Sequence, residues 1–145
     1  MLLNAIHGLW LNLQNSFNWL ASRDVCEINQ HVVKTSGEPY SLLDIGKLEG
    51  ALSRPYSEWA YNSEENVVVL GVEYMVSIAG AHAFMQGNKR TGFIAGRTFM
   101  QFHGYDFHVP DTEETAKIFT GVIAHKLDFA AFYTHLEQHI VQIDE

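Results

Sequence analysis

The chain has 145 residues, of which 47% are hydrophobic and 18% charged, and its formal net charge is −8 at pH 7. These values are typical of one globular domain and exclude an intrinsically disordered chain. Because broad nucleic-acid binding needs a basic face, the negative charge argues against such binding. The single cysteine, Cys26, excludes an internal disulfide framework and indicates a reducing, cytoplasmic environment.

The first 20 residues predict an amphipathic helix. They contain no Lys or Arg, and polar residues interrupt them, so they lack the features of a secretory signal or a membrane-spanning helix. Docking on the chain's own domain is the favoured role, and a partner surface or a membrane contact is the alternative. We expect residues 1–24 to extend a domain at 25–140, with a short tail at 141–145. The apolar positions at helical spacing are Leu2, Leu3, Ile6, Leu9, Trp10, Leu13, Phe17 and Leu20.

The next elements are predicted to be two short helices. Val25 to Val33 continues as a helix, which the residues Ser-Gly-Glu-Pro at 36–39 end. Asp44 is a candidate cap for a helix through Leu52, which the Arg-Pro pair at 54–55 should terminate. Residues 53–62 are then expected to form a loop, with a short hairpin as the alternative.

A long apolar run from about Glu64 to His82 predicts a buried central helix. Its three valines at 67–69 favour a strand locally, but the run is too long for an ordinary strand and is apolar on nearly every face. After a break at residues 85–88, another helix should begin at Lys89 or Arg90. It should end at Phe102 or His103, before Gly104.

Two more helices complete an all-α prediction. Asp111, with Glu114 three residues later, resembles a capping box and opens a helix to about His125. Asp128 should cap the last helix, which ends near Ile140. With about seven helices and no convincing strand pair, we predict a compact helical bundle. Five aromatic residues are expected to serve packing: Trp59, Phe99, Phe102, Phe129 and Phe132.

The break between the two central helices collects residue types that suit a phosphate site. The N-terminus of a helix offers free N–H groups and a positive dipole end. Gly87 lets the backbone approach a ligand, Asn88 can cap the helix or orient a phosphate, and Lys89 and Arg90 add charge. His82, at the other end of the break, can accept a proton from an attacking hydroxyl. Taken singly, each residue has a simpler structural role, so the argument rests on the spacing.

Residues 82–90, His-Ala-Phe-Met-Gln-Gly-Asn-Lys-Arg, resemble the signature of the Fic/Doc (Fido) superfamily, His-x-Phe-x-(Asp/Glu)-(Gly/Ala)-Asn-(Gly/Lys)-Arg. Lys89 and Thr91 are similar to the death-on-curing branch, and Phe93 stands where the classical Fic branch has a second Arg. Residues 37–55 and 102–107 are also similar to that branch, so the resemblance extends over roughly residues 25–140. It implies a Fido-type bundle around a central, motif-bearing helix pair, with the N-terminal helix as an addition.

The resemblance implies a toxin-like transferase that uses ATP and Mg²⁺ to modify a hydroxyl side chain of a target protein. Phosphoryl transfer is favoured because Lys89 obstructs one phosphate pocket, and transfer of AMP is the alternative. A translation factor such as elongation factor Tu is the expected target, and neither nucleic acid nor a membrane is an expected partner. In this assignment His82 is the general base, Phe84 anchors the loop, Gly87 and Asn88 form the anion cradle, and Lys89 and Arg90 hold ATP phosphates.

Two departures from the family pattern change what is expected. Gln86 stands where the family has the Asp or Glu that holds Mg²⁺, and a neutral amide is a weaker ligand. A catalytically impaired module that only grips a partner is therefore a further alternative. The family's inhibitory motif, Ser/Thr-x-x-x-Glu-(Gly/Asn), is approached at Glu49 and Glu65, but Ile45 and Tyr61 replace its hydroxyl residue. Inhibition by a separate antitoxin chain is thus expected.

The histidine-rich end of the chain is a lesser candidate. His135 and His139 have the i, i+4 spacing of a metal-binding pair, with His125 nearby. No Glu stands in the arrangement of a helical zinc protease, and such pairs are common on helix surfaces. Ordinary surface histidines are the favoured interpretation.

Overall fold

The computed structural model describes residues 17–108 and 112–143. Within these ranges the predicted helical bundle is confirmed, with six helices and a small antiparallel sheet that was not expected. No helix in the described ranges is long and apolar enough to cross a membrane. The elements in chain order are α1 (Ser22–Ser36), α2 (Ile45–Asn62), α3 (Val67–Ala81), α4 (Asn88–Phe102), β1 (Tyr105–Phe107), α5 (Glu113–Ile123), α6 (Phe129–Glu137) and β2 (Ile140–Gln142).

Helices α3 and α4 form the centre of the bundle. Nine of the fifteen residues of α3 are buried, as the apolar pattern on all its faces predicted. A Cβ atom on Gly92 of α4 would lie 2.6 Å from the Met75 carbonyl oxygen, and one on Gly96 would overlap the Gly71 carbonyl. The two helices therefore pack backbone against backbone. This contact fixes the turn that connects them.

Two clusters of buried side chains join the central pair to the other elements. The first contains Leu48 of α2 and Phe99 of α4, and it also takes in Leu20 and Val25. The second joins the pair to α5 and α6. Phe102 does not pack as expected, because it is 57% exposed. The large side chains of the second cluster are Met75, Met100, Phe107, Phe119 and Phe132.

Helix α2 continues through Pro55, so the prediction that it ends at Leu52 is wrong, as are the loop and the hairpin at residues 53–62. Proline has no N–H, and the Ala51 carbonyl therefore loses its helical partner. The Ser77 hydroxyl of α3 donates a hydrogen bond to this carbonyl at 3.0 Å. Because a tertiary contact satisfies the freed oxygen, the helix continues to Asn62. Its start is as predicted, since Asp44 accepts from the Lys47 N–H.

The C-terminal elements differ from the prediction in their ends. Thr112 is the N-cap of α5 and accepts from the Thr115 N–H, whereas Asp111 lies outside the described residues. Asp128 precedes α6 without a side-chain capping bond, and α6 ends at Glu137. The chain then pairs β2 with β1 in antiparallel fashion. Residues 141–142 are thus part of the sheet and not of a free tail.

The described segment before α1 is not helical. Residues 17–21 contain no helix, and α1 begins at Ser22, so the predicted N-terminal helix does not reach Leu20. Leu20 is buried, and its N–H donates to the Tyr74 hydroxyl at 3.1 Å. This bond and the apolar contacts of Leu20 tie the segment to the core. The remainder of the predicted helix, residues 1–16, lies outside the described residues.

Candidate functional site

The turn between α3 and α4 is held at its middle and exposed at its ends. His82 ends α3 in the left-handed conformation, with φ of 50°, and is exposed. Gly87 precedes α4 with φ of 75°, a value that suits glycine. Between them, Phe84 is only 2% exposed and belongs to the first core cluster. Phe84 therefore ties the turn to the core.

Asn88 shapes this turn with both groups of its amide. Its Oδ1 accepts from the Phe84 N–H at 3.0 Å, and its Nδ2 donates to the Phe84 carbonyl at 2.8 Å. Asn88 is the first residue of α4 and not its cap, so the capping role predicted for it is wrong. The N-cap is Gly87, which has no side chain. The first turn of α4 consequently receives no side-chain cap.

A short extended segment supports the turn from the outside. The Leu43 N–H donates to the Ala83 carbonyl at 2.8 Å, and the Met85 N–H donates to the Ser41 carbonyl at 2.9 Å. Leu42 and Phe84 form the antiparallel bridge between these bonds. This pairing was not predicted, because a single bridge is too short for any alternating pattern.

Each of the two cations of the motif bonds to a residue from another part of the fold. The Lys89 ammonium donates to the Thr120 hydroxyl of α5 at 3.3 Å. The Arg90 guanidinium forms a salt bridge with Glu38, which follows the end of α1. Hydrogen bonds from the Ser36 hydroxyl and from Arg90 lower the pKa of the Glu38 carboxyl. Arg90 thus lies beside a carboxylate that stays ionised.

A groove with a volume of about 620 Å³ lies between α1, α4 and α5, and we call it the α4 groove. Three of the chain's nine Lys and Arg residues line it: Lys89, Arg90 and Arg97. None of the described residues that line it is Asp or Glu, although the chain as a whole is acidic. His82 and Gln86 belong to the adjoining turn and do not line the groove. Basic side chains and no described acidic ones therefore line the groove, although Arg90 and Arg97 each pair with a carboxylate outside the lining.

Phe93 makes the floor of the α4 groove apolar at the position of the missing second arginine. Its ring lies 5.3 Å from the Phe107 ring and 6.1 Å from the Phe119 ring. One helical turn later, Arg97 bonds to Asp106 at 2.8 Å. Hydrogen bonding to Arg97 lowers the pKa of Asp106 to about 2. Arg97 is thus paired with a carboxylate of β1.

Gln86 is the residue of the turn that stands at the position expected to hold Mg²⁺. Gln86 is exposed and offers only a neutral amide oxygen. Among the described residues, no three His, Cys, Asp or Glu side chains lie close enough together to hold a metal ion. In the histidine-rich region, the His135 ring is bonded to the Thr115 hydroxyl at 2.8 Å. His125 lies in the turn after α5.

Two residues that contact the site were not predicted from the sequence. Asn29 of α1 donates to the Gln86 carbonyl at 2.8 Å across 57 residues of sequence. Glu38 reaches Arg90 across 52 residues. A signal for Asn29 existed, since it interrupts the apolar face of a helix, and a buried amide needs a partner. Glu38 had no such signal.

The family comparison agrees with the motif. The model of the Fic/DOC family matches residues 19–100, which is more than half of the chain. The match includes the turn and stops within α4, so it contains neither α5 nor α6. A comparison with curated proteins gave no match. The chain belongs to the Fic/DOC family, whose members are generally transferases that modify proteins.

Proposed function

We propose that this protein uses ATP to modify a hydroxyl side chain of a target protein at the turn between α3 and α4. One observation carries the proposal. The uncapped N-terminus of α4 lies beside Lys89 and Arg90, at a groove lined by no described carboxylate, while the exposed His82 stands at the other end of the same turn. Such an arrangement suits a transferred phosphate next to a proton acceptor.

The residues of the turn have separate roles in the proposed reaction. The acceptor oxygen attacks the γ-phosphorus of ATP, the bond to the β–γ bridging oxygen breaks, and ADP leaves. His82 takes the proton of the acceptor hydroxyl. The N–H groups of the first turn of α4, with Lys89 and Arg90, offset the charge on the phosphates. Most of the rate enhancement in such a reaction comes from positioning and charge stabilisation.

Phosphoryl transfer is favoured over AMP transfer by two residues on α4. Lys89 stands where the classical Fic branch usually has glycine, and its ammonium extends to Thr120. Phe93 replaces the second arginine and packs against Phe119. Both features reduce the space and the positive charge available for the other orientation of the nucleotide, which AMP transfer would need. We infer from the resemblance to the death-on-curing branch that the target is a translation factor such as elongation factor Tu, in the cytoplasm, and that an antitoxin chain restrains the protein.

A binding module without catalysis is the second candidate, and Gln86 is the feature that favours it. Without a carboxylate at this position, Mg²⁺ is held only by the nucleotide and by neutral donors. Such a protein keeps the groove and the turn but transfers nothing. It would bind a partner through the same groove.

Labelled ATP separates these functions. The protein is incubated with cell lysate and with ATP that carries the label either on the γ-phosphate or in the adenine ring. Label from the γ-phosphate on a lysate protein indicates phosphoryl transfer, and label from adenine indicates AMP transfer. His82→Ala should abolish the signal, whereas His108→Ala, an exposed histidine outside the turn, should retain it. Absence of any His82-dependent label contradicts a transferase and leaves the binding module.

A further inference from the structure

Asn29 is a buried polar residue on an otherwise apolar helix face. It lies on α1, is 0% exposed, and has the buried Val25, Val32 and Val33 on the same helix. Burying an amide costs free energy unless hydrogen bonds compensate for the lost water. Its Oδ1 has no partner among the described residues, so any compensation comes from the Nδ2 group. The bonds of Nδ2 therefore indicate what this residue does.

The two Nδ2 hydrogens of Asn29 bond on either side of the α4 N-terminus. One goes to the Gln86 carbonyl at 2.8 Å, just before Gly87, and the other to the Thr91 hydroxyl at 3.0 Å, at the end of the first turn. Thr91 is also 0% exposed, and its N–H makes the first helical bond, to the Gly87 carbonyl. One amide thus fixes both ends of the segment that carries Asn88, Lys89 and Arg90.

Gly87 rests directly on α1. A Cβ atom at this position would lie 3.1 Å from Val32 Cγ1 and 3.4 Å from Asn29 Nδ2. Together with φ of 75°, this close contact makes any side chain at position 87 strained. The glycine is therefore needed for the approach of the turn to α1, in addition to any approach of a ligand.

The bond to Gln86 also sets the direction of a donor. In a trans peptide the C=O and N–H groups point in opposite directions, and the described chain has no cis peptide. Because the Gln86 carbonyl points at the buried Asn29, the Gly87 N–H points away from α1. If the peptide turned over, it would present an oxygen at the α4 N-terminus and would repel an anion.

We propose that Asn29 is a positioning residue of the anion site: it holds the peptide between Gln86 and Gly87 so that the Gly87 N–H joins the first-turn N–H groups of α4 in binding phosphate. The inference rests on the proposed function, since it concerns the same site. It adds a residue outside the motif and assigns the Gly87 N–H as a ligand. Asn29 touches neither the nucleotide nor the acceptor.

The test uses pyrophosphate as the probe and the full chain as the protein. Asn29→Leu removes both donors at similar volume, and Asn29→Ala is the second variant in case the first does not fold. Ser77→Ala is the matched control, because it also removes a buried hydrogen bond, one that joins α3 to α2 and involves no residue of the turn. Thermal unfolding reports the loss of stability, and calorimetry at low temperature reports the affinity of the folded protein.

We expect Asn29→Leu to weaken pyrophosphate binding by about tenfold or more, as for loss of a hydrogen bond to a charged group. Ser77→Ala should lose comparable stability with unchanged affinity. In wild type, the amide resonance of Gly87 should shift downfield on titration with pyrophosphate. Equal affinity of wild type and Asn29→Leu, or a Gly87 resonance that does not respond to bound pyrophosphate, overturns the proposal, as does a wild type that binds none.

The outcomes separate this inference from the proposed function. If wild type transfers label from ATP but Asn29→Leu keeps its pyrophosphate affinity, the positioning role fails and the transferase stands. If pyrophosphate binding depends on Asn29 but no label is transferred, the positioning role stands and the transferase fails. The Gly87 resonance needs no variant, so a missing response to pyrophosphate overturns the proposal even if neither Asn29 variant folds.

Discussion

The guanidinium of Arg90 donates a hydrogen bond to the carboxylate of Glu38, which lies 52 residues earlier in the chain. Glu38 also accepts from the Ser36 hydroxyl, on the turn that ends α1. A carboxylate therefore lies where the proposed reaction needs a phosphate to meet Arg90. The two anions compete for one guanidinium.

Replacing Glu38 by glutamine should strengthen pyrophosphate binding about two- to fivefold. The gain is modest because exposed ion pairs contribute little. It should shrink at high salt, which screens exposed charges. Calorimetry at low and high ionic strength measures both effects. Glu113→Gln, which removes the exposed partner of Lys117, is the control and should change nothing. Weaker binding by Glu38→Gln would mean that Glu38 holds Arg90 in place for the ligand.

Replacing Gln86 by aspartate should increase Mg²⁺-dependent transfer of label. A carboxylate at this exposed position adds the charged oxygen that Mg²⁺ prefers, and we expect a gain of about tenfold or more at limiting metal. Initial rates measured against Mg²⁺ concentration test this. Gln138→Asp adds the same charge after α6 and serves as the control. An unchanged rate for Gln86→Asp would show that the charge at this position does not limit the reaction.

Replacing Asn88 by alanine should destabilise the turn as well as weaken binding. Both hydrogen bonds to Phe84 are lost, and two backbone groups at a partly buried position lose their partners. We expect the free energy of unfolding to fall by about 1–3 kcal/mol. Chemical denaturation measures it, and amide exchange at Phe84 locates the change. If Asn88 serves only as a phosphate ligand, stability will stay at the wild-type value.

The pair of Arg97 and Asp106 should stabilise the fold in a pH-dependent way. The pKa of Asp106 is lowered to about 2, so the stabilisation is complete above the unfolded-state value and is lost as the pH falls towards 2. Since Arg97 is 42% exposed, solvent screening limits the contribution to about 1 kcal/mol.

Asp106→Asn should therefore lower the melting temperature by about 2–4 °C at pH 7. The difference from wild type should shrink below about pH 4. Asp128→Asn, an exposed residue without a capping bond, is the control at each pH. A difference that stays constant from pH 7 to pH 3 would exclude the ion pair as its cause.

The central part of the fold follows from the sequence because its signals are local. The apolar run of α3, the glycine at 37 and the acid at 44 each act within a few residues. The passage of α2 through Pro55 was not predictable in this way, because it depends on the Ser77 hydroxyl from another helix. Each strand of the sheet has three residues, too few to show an alternating pattern.

The candidate site was predictable in its position and residue types but not in its hydrogen bonds. The motif located His82, Phe84 and the cations of α4. It did not reveal that Asn88 bonds to Phe84 and is unavailable as a cap. Nor did it indicate Asn29, since that contact joins residues that lie 57 positions apart. Side-chain partners across the fold carry no local signature.

The contact of Gly92 with the Met75 carbonyl limits how the proposed nucleotide would enter. Since no gap separates the backbones of α3 and α4, these helices cannot slide past each other to admit a ligand. The opposite wall of the groove, α5, meets α4 through side chains such as Phe93 and Phe119. Widening for the proposed ligand would thus be an adjustment of α5, while His82 and the N-terminus of α4 would form a preassembled half of the proposed site.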